Sequence, residues 1–299
     1  MKNKFLFLLL LQNMTTWLNI QRTFQQELSE IYSPKEAAEI FFILLEDAFG
    51  LSKTSYLANQ NEPLDSKTHN SLTKAIEQLK KGRPIQHITG KAYFYGQFFE
   101  VNENTLIPRV ETEELVVEII KDHNKLAPIS ILDIGTGSGC IAISLKLYFE
   151  KATVKAIDIS AAALAVAQRN SDSLDAEVEF EVIDILSQES HSAATPLLDV
   201  IVSNPPYVRE LEKSEMHKNV LQFEPASALF VDDQKPLVFY EAIAKYAKGH
   251  LKKNGTLYFE INQYLASETK QMLLDAGFSQ ISVINDLYAN ERIIKCKLA

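Results

Sequence analysis

The chain has 299 residues, which is enough for two domains and a sizeable core. Its net charge of -9 disfavours tight, sequence-independent binding to nucleic acid, because such binding needs an excess of Lys and Arg. The two cysteines, Cys140 and Cys296, are too few for a cysteine-based metal site, and the histidines show no ligand spacing. We therefore expect two reduced, buried thiols and no bound metal.

The N-terminus imitates a secretion signal without completing one. Its apolar run, Phe5 to Leu11, is at the lower length limit, and no small-residue cleavage site follows it. We interpret residues 1–13 as a non-native or disordered extension and Met14 as the natural start. Nothing later in the chain approaches the roughly 18 apolar residues of a membrane span.

Residues 14–83 are predicted to form a small helical domain. Apolar residues recur there at three- and four-residue steps, as on one face of a helix. Ser33-Pro34 is a typical helix start, and Gly50 is placed to end the same helix. A second helix is predicted over Ser66 to Lys80.

Residues 84–109 are rich in β-formers from Ile85 onward, interrupted by Gly90 and Gly96, and predict a β-hairpin that links two domains. From 110 to 299 strands and helices alternate, which predicts an α/β fold with a largely parallel sheet covered by helices on both faces. The predicted strands are 130–134, 153–158, 177–183, 198–203, 255–261, 280–285 and 291–297. The predicted helices are 138–148, 160–170, 236–252 and 265–275.

A glycine-rich turn follows the first of these strands and opens a helix. Its sequence is Gly135-Thr136-Gly137-Ser138-Gly139, and Asp158 ends the next strand, where a carboxylate can accept both hydrogen bonds of a ribose diol. A dinucleotide fingerprint would need Gly or Ala where Cys140 stands, so a nicotinamide-dependent oxidoreductase is disfavoured. The pattern better suits S-adenosylmethionine.

The Asp184-Ile185 pair follows the third predicted strand. Asp184 is placed to meet an adenine amino group and Ile185 to line the ring. A helix-capping or solvated role for Asp184 is an equal alternative.

The loop Asn204-Pro205-Pro206-Tyr207 follows the fourth predicted strand. The prolines fix the backbone, so the Asn204 side-chain carbonyl and the Pro205 carbonyl can each accept one N–H of a planar nitrogen. Such a grip would orient the nitrogen for attack on a methyl group and stabilise its developing positive charge, with Tyr207 against its flat face. The alternative is a proline-rich turn capped by Asn204.

Beyond this loop, several blocks of the chain resemble the glutamine-N5 methyltransferases of peptide chain release factors, the PrmC/HemK family. The most specific block is Leu106-Ile107-Pro108-Arg109-Val110-Glu111-Thr112-Glu113. The others are Pro84-Ile85-Gln86-His87-Ile88-Thr89-Gly90, Glu224-Pro225 with Ala228-Leu229, and Asp286-Leu287 with Glu291-Arg292.

The resemblance implies a class I, Rossmann-like methyltransferase domain over 110–299 and a substrate-recognition role for 14–83. It implies S-adenosylmethionine as methyl donor and, as substrate, the glutamine of the Gly-Gly-Gln motif in class I release factors. The family's catalytic residues fall on Asn204 to Tyr207, and its cofactor residues fall on Gly135 to Gly139, Asp158, Asp184, Ile185 and Asn204. We expect a cytoplasmic monomer that contacts neither nucleic acid nor membrane.

Some points stay open on the sequence. An N6-adenine methyltransferase of DNA or RNA shares the loop chemistry and is the alternative function, and a release-factor binding module without activity is a third. Arg109 either contacts the release factor or braces the linker. Three positions depart from the family pattern, namely Val110, Asp232-Asp233 and Asn262, and we expect none of them to touch the reacting loop.

Overall fold

The computed structural model describes residues 15–187 and 197–298, so the expected extension over 1–13 and the expected start at Met14 lie outside the described residues. The helices are α1 (Trp17–Glu27), α2 (Pro34–Phe49), α3 (Lys53–Asn59), α4 (Ser66–Lys80), α5 (Ile85–Thr89), α6 (Val110–Asp122), α7 (Cys140–Tyr148), α8 (Ala161–Ser173), α9 (Lys218–Phe223), α10 (Val238–His250) and α11 (Ala266–Asp275). The strands are β1 (Lys91–Phe94), β2 (Gln97–Glu100), β3 (Ser130–Ile134), β4 (Thr153–Asp158), β5 (Glu179–Val182), β6 (Leu198–Ser203), β7 (Val208–Arg209), β8 (Phe230–Val231), β9 (Leu251–Glu260), β10 (Phe278–Asn285) and β11 (Glu291–Leu298).

The described residues divide into two compact units, of which the smaller is helical and comprises residues 15–91 together with Lys218–Phe223. Its core includes the fully buried Phe24 and Phe41. The Ser33 hydroxyl accepts the N–H of Glu36 at the start of α2, and Gly50 ends that helix with a φ of 63°. Both predicted helix boundaries are therefore confirmed, because they rest on local capping chemistry.

The larger unit, Ala92–His217 with the chain from Glu224 onward, contains a seven-stranded sheet in the order β10-β11-β9-β6-β3-β4-β5. Strands β5, β4, β3, β6 and β9 run parallel, and β11 is antiparallel to both β9 and β10. The predicted, largely parallel sheet is confirmed. Because β3 lies between β4 and β6, the strand order reverses beside it, which opens a crevice at the strands' carboxyl ends.

Helices cover both faces of the sheet, as the alternation predicts. Side chains of a strand point alternately to opposite faces, so Ile131 packs with α6 and α7 whereas Leu132 packs with α10 and α11. Strands buried on both faces read as nearly continuous apolar runs, which is the pattern of β3 and β6. The helices cover the two faces of the sheet, and the carboxyl ends of its parallel strands stay open to a ligand.

Three predictions about elements were wrong or incomplete. Ile85 and Ile88 lie in the short helix α5, not in a strand, because Pro84 precedes a single turn that Gly90 ends with a φ of 73°. The hairpin itself, β1 with β2, begins only at Lys91. The helix predicted over 236–252 ends at His250, since Leu251 already pairs with Leu198 in the sheet.

Helix α6 was absent from the predicted elements. The signal was present, since Thr112, Leu115, Val116 and Ile119 are buried at helical spacing and two acidic residues occupy the first turn. Both cysteines are free and buried, as expected. Within residues 15–187 and 197–298, no helix has the length and apolar character to cross a membrane.

Candidate active site

A cavity of about 240 Å3 opens at the carboxyl ends of the parallel strands, within the larger unit. Most of the site residues predicted from the sequence line it together. They are Gly135, Gly137, Asp158, Asp184, Ile185, Asn204, Pro205 and Pro206. Thr136, Ser138, Gly139 and Tyr207 lie beside the cavity in sequence but are not among its lining residues.

The glycine turn is folded against the end of β4. The Ile157 carbonyl accepts the N–H groups of Gly135 and Thr136 at 2.8 and 3.1 Å. Gly135 and Gly137 have φ values of +76° and +57°, and a Cβ on either would meet no protein atom within 4 Å. Their backbone is therefore exposed to a ligand in the cavity.

Gly139 has a different role. A Cβ there would lie 2.9 Å from Ile143 Cδ1 and 3.1 Å from Ala167 Cβ, so glycine allows α7 and α8 to pack closely. The Thr136 hydroxyl turns inward and donates to Asp133 Oδ2 at 2.7 Å. Asp133 is fully buried, and burial raises its pKa to about 7.

Asp158 braces the glycine turn as well as lining the cavity. Its Oδ2 accepts the N–H of Gly137 and its Oδ1 that of Ser160, both at 2.9 Å. Burial raises the pKa of Asp158, and these two backbone bonds oppose the rise. Its carboxylate retains lone pairs for a ligand hydroxyl, since a carboxylate can accept about four hydrogen bonds.

Asp184 lines the cavity while its Oδ1 accepts the N–H of Leu186 at 2.9 Å. This local bond fits the capping alternative, yet it engages one carboxylate oxygen only. Ile185 is buried in the turn that follows β5. Both roles weighed from the sequence are thus compatible with the position of Asp184.

The reacting loop is held from behind by a hydrogen-bonded chain. Asn204 Nδ2 donates to Thr112 Oγ1 at 3.2 Å, and Thr112 Oγ1 donates to Glu260 Oε2 at 2.6 Å. The Tyr207 hydroxyl donates to Glu260 Oε1 at 3.0 Å, and the Tyr207 ring packs against the core. Tyr207 therefore anchors the loop, besides any contact it makes with a bound amide.

Glu260 and Thr112 were not predicted as site residues, although Thr112 lies in the Leu106–Glu113 block already singled out. They are 2% and 3% exposed. Burial raises the pKa of Glu260, while the hydrogen bonds from Thr112 and Tyr207 and the charge of Arg292 oppose the rise. Glu260 ends β9 at the carboxyl edge, a position that could have marked it as a candidate.

A second buried carboxylate, that of Glu224, lies next to the cavity lining. The Glu224 carboxylate accepts a hydrogen bond from Arg109 Nη2 at 2.6 Å and another from the N–H of Ile107 at 3.0 Å. The Glu224 side chain is 1% exposed. Leu106 and Pro225, the neighbours of these partners, line the cavity. The pairing supports the bracing role of Arg109 over contact with a partner protein.

The expectation that no departure from the family pattern touches the reacting loop was wrong for Asn262. Its Nδ2 donates to the Tyr207 carbonyl at 3.0 Å and contacts the Glu212 carboxylate at 3.1 Å. Val110 is 67% exposed, and Asp233 accepts the N–H of Leu211 at 3.1 Å. Of these positions, Asn262 alone has a described contact with the loop.

Comparison with known proteins places this site in a family. A model of the methyltransferase small domain matches residues 112–229, and a model of the PrmC N-terminal domain matches residues 19–90. The release factor glutamine methyltransferase of Flavobacterium psychrophilum is 46% identical over 93% of this chain and 97% of its own length. The chain belongs to the release factor glutamine methyltransferase family. Its counterpart in Bacteroides thetaiotaomicron is 41% identical over 90% of this chain and 96% of its own length.

The family membership confirms the resemblance drawn from the sequence blocks, and the methyltransferase domain match confirms the predicted fold class. A solved structure supports the fold alone. The 16S rRNA N2 G1207 methyltransferase of T. thermophilus, in complex with AdoMet and guanosine, superposes with a TM-score of 0.50 at 16% identity. The match covers 70% of this chain and 50% of that one.

Proposed function

We propose that this protein transfers a methyl group from S-adenosylmethionine to the side-chain amide nitrogen N5 of the glutamine in the Gly-Gly-Gln motif of class I peptide chain release factors. The observation that carries the proposal is that Asn204 and Pro205 line the same cavity as Gly135 and Gly137. A rigid grip for a planar amide therefore adjoins a turn with exposed backbone. The names of the full-length relatives support the choice of substrate.

The cavity residues fit S-adenosylmethionine. The open space beside Gly135 and Gly137 accommodates a close ligand, and Asp158 keeps the lone pairs that two ribose hydroxyls require. Ile159 and Ile185 supply apolar lining for a flat ring. When bound, this group supplies a methyl carbon activated by its attachment to a positively charged sulfur.

The protein contributes orientation and electrostatics. The Asn204 side-chain carbonyl and the Pro205 backbone carbonyl accept the two N–H groups of the target amide, which aims its nitrogen at the methyl carbon. The same oxygens stabilise the positive charge that develops on the nitrogen. Removing one such preorganised group typically costs about 10²–10³ in kcat.

We propose that residues 14–83 contact the release factor, that 84–109 link this domain to the methyltransferase domain over 110–299, and that the protein works in the cytoplasm as a monomer. The match of the N-terminal domain model to residues 19–90 supports the first point. Light scattering after gel filtration should give a mass near 33.7 kDa. A dimer mass at micromolar concentration would contradict the monomer.

One experiment tests the proposed activity against its alternative. The protein is incubated with methyl-labelled S-adenosylmethionine and one of three acceptors: a class I release factor, its Gln→Ala variant in the Gly-Gly-Gln motif, or DNA and RNA. We expect label on the unmodified release factor alone. Label on nucleic acid but not on the release factor would support the N6-adenine alternative, and equal label on the Gln→Ala variant would reject glutamine as the target.

A further inference from the structure

The hydrogen-bonded chain Glu260–Thr112–Asn204 connects three separate elements behind the reacting loop. Glu260 ends β9, Thr112 lies in the first turn of α6, and Asn204 follows β6. The two bonds of the chain measure 2.6 and 3.2 Å. Glu260 and Thr112 are buried, so water does not replace the bond between them.

The number of protons on these groups fixes which group donates in the Thr112–Glu260 and Asn204–Thr112 hydrogen bonds. An ionised carboxylate only accepts, so the single hydroxyl proton of Thr112 goes to Glu260. Towards Asn204 the Thr112 oxygen can then only accept, which requires the NH2 end of the Asn204 amide. Because Nδ2 is bonded to Thr112, the Asn204 carbonyl oxygen Oδ1 is the end of the amide that is not engaged in this chain, and Asn204 lines the cavity.

Burial raises the pKa of Glu260, and its hydrogen bonds and one nearby positive charge oppose that rise and favour its ionised form as an acceptor. Tyr207 and Thr112 each donate to one of its two oxygens. The positive charge of Arg292 also stabilises the carboxylate, against the negative charge of Glu111. A hydrogen bond as short as 2.6 Å between Thr112 and Glu260 is typical of an ionised acceptor.

We propose that Glu260, acting through Thr112, sets which end of the Asn204 amide faces the substrate, and that both are positioning residues for methyl transfer. The inference rests on the proposed function of Asn204 as an acceptor for the target amide. With the opposite orientation, an NH2 group would face the N–H groups of the substrate, and no hydrogen bond could form. The orientation of the Asn204 amide is therefore set by Glu260, which acts through Thr112 and does not itself contact the target amide.

The test compares Thr112→Val, which keeps the shape but removes the hydroxyl, with Thr112→Ser, which restores it. We expect Thr112→Val to lower kcat on the release factor by about 10- to 100-fold, with S-adenosylmethionine affinity unchanged; this is less than the roughly 10²–10³ for loss of a preorganised group itself, because the Asn204 amide remains and only its orientation is released. Thr112→Ser should recover most of the loss. Thr269→Val is the matched control, because it removes another buried Thr hydroxyl, whose hydrogen bond within the described part of the chain is to the Leu265 carbonyl at 2.8 Å, away from the reacting loop. Its kcat should stay close to that of wild type.

A double-mutant cycle separates positioning from a general structural effect. In an Asn204→Ala background, Thr112→Val should lower kcat no further, because the group that it orients is gone. The same fold loss in both backgrounds, or a Thr112→Val protein as active as wild type, would overturn the proposal. If Thr112→Val does not fold, the smaller Thr112→Ala carries the same comparison.

Different results would contradict the proposed function and the positioning role. A wild-type protein that does not label the release factor contradicts the proposed function. Wild-type labelling with an inert Thr112→Val substitution contradicts the positioning role alone.

Discussion

Gly139 offers a clear test of which glycines support packing and which serve a ligand. Gly139 and Gly96 have the same φ of +82°, and both lie in the larger unit. A Cβ at Gly96 meets nothing within 4 Å, whereas one at Gly139 lies 2.9 Å from Ile143 and 3.1 Å from Ala167. The pair therefore separates backbone strain from steric overlap.

The expected losses follow from these contacts. The left-handed backbone costs an alanine about 1–2 kcal/mol at either position, partly offset by about 0.4–1 kcal/mol from the stiffer unfolded chain. Overpacking in the buried contact adds about 1–3 kcal/mol at Gly139 only. The free energy of unfolding should thus fall by about 1–3 kcal/mol more for Gly139→Ala than for Gly96→Ala.

Gly135→Ala completes the comparison. Its φ is +76° and its Cβ would meet no protein atom, so its loss of stability should match that of Gly96→Ala. Because Gly135 lines the cavity, however, its affinity for S-adenosylmethionine should fall at least about tenfold, or about 1.4 kcal/mol. Gly139→Ala should bind with near wild-type affinity at temperatures where it is folded.

The assay is urea unfolding followed by circular dichroism, with calorimetry for the ligand. Fluorescence of the single tryptophan, Trp17, reports the helical unit separately. Equal losses of stability for Gly139→Ala and Gly96→Ala would refute the packing role of Gly139. An unchanged ligand affinity for Gly135→Ala would refute the assignment of the turn to the ligand.

Three further changes have definite expected outcomes. Glu224→Gln should lower the free energy of unfolding in urea by about 2–3 kcal/mol, because it weakens the buried pair with Arg109. The control, Glu100→Gln, weakens an exposed Arg–Glu pair and should lower it by at most about 1 kcal/mol. Equal losses for the two variants would contradict the bracing role of Arg109. Asp133 has a pKa raised from 3.8 to about 7, so the folded state holds more protons than the unfolded one between these values, and its contribution to stability falls as the pH rises. Relative to wild type, Asp133→Asn should gain up to roughly 4 kcal/mol between pH 4 and pH 8, and a pH-independent difference would contradict this. Asn204→Ala should keep its S-adenosylmethionine affinity by calorimetry and lose most turnover, and abolished affinity would point to a different role.

The elements that the sequence predicted best are those with strong local signals at both ends. Strands 130–134, 153–158 and 198–203 have the predicted bounds, since each is a short apolar run closed by Gly, Asp or Asn-Pro. The same local chemistry identified the cavity-lining glycines and Asp158. Helix α6 was missed because its first turn lies within the Leu106–Glu113 block, which was interpreted through its family motif and not through its apolar spacing.

Residues whose role depends on distant partners could not be assigned from the sequence. Thr112 and Glu260 are 148 positions apart, and only the folded sheet brings them into contact. The contact of Asn262 with the Tyr207 carbonyl arises in the same way, because β9 lies beside β6. Spacing rules describe neighbours on one helix or strand, and they are silent on such pairs.

The hydrogen bonds of the Glu224 carboxylate restrict which substitutions this chain can accept in evolution. It joins Ile107 and Arg109 to a segment 115 to 117 positions further along. A Lys at 109 would lose the planar fork of Arg, and an Asp at 224 would be one methylene too short to reach both donors. These positions should therefore substitute together among relatives, and a chimaera that takes only one of the two blocks from a divergent relative should inherit a mismatched cavity wall.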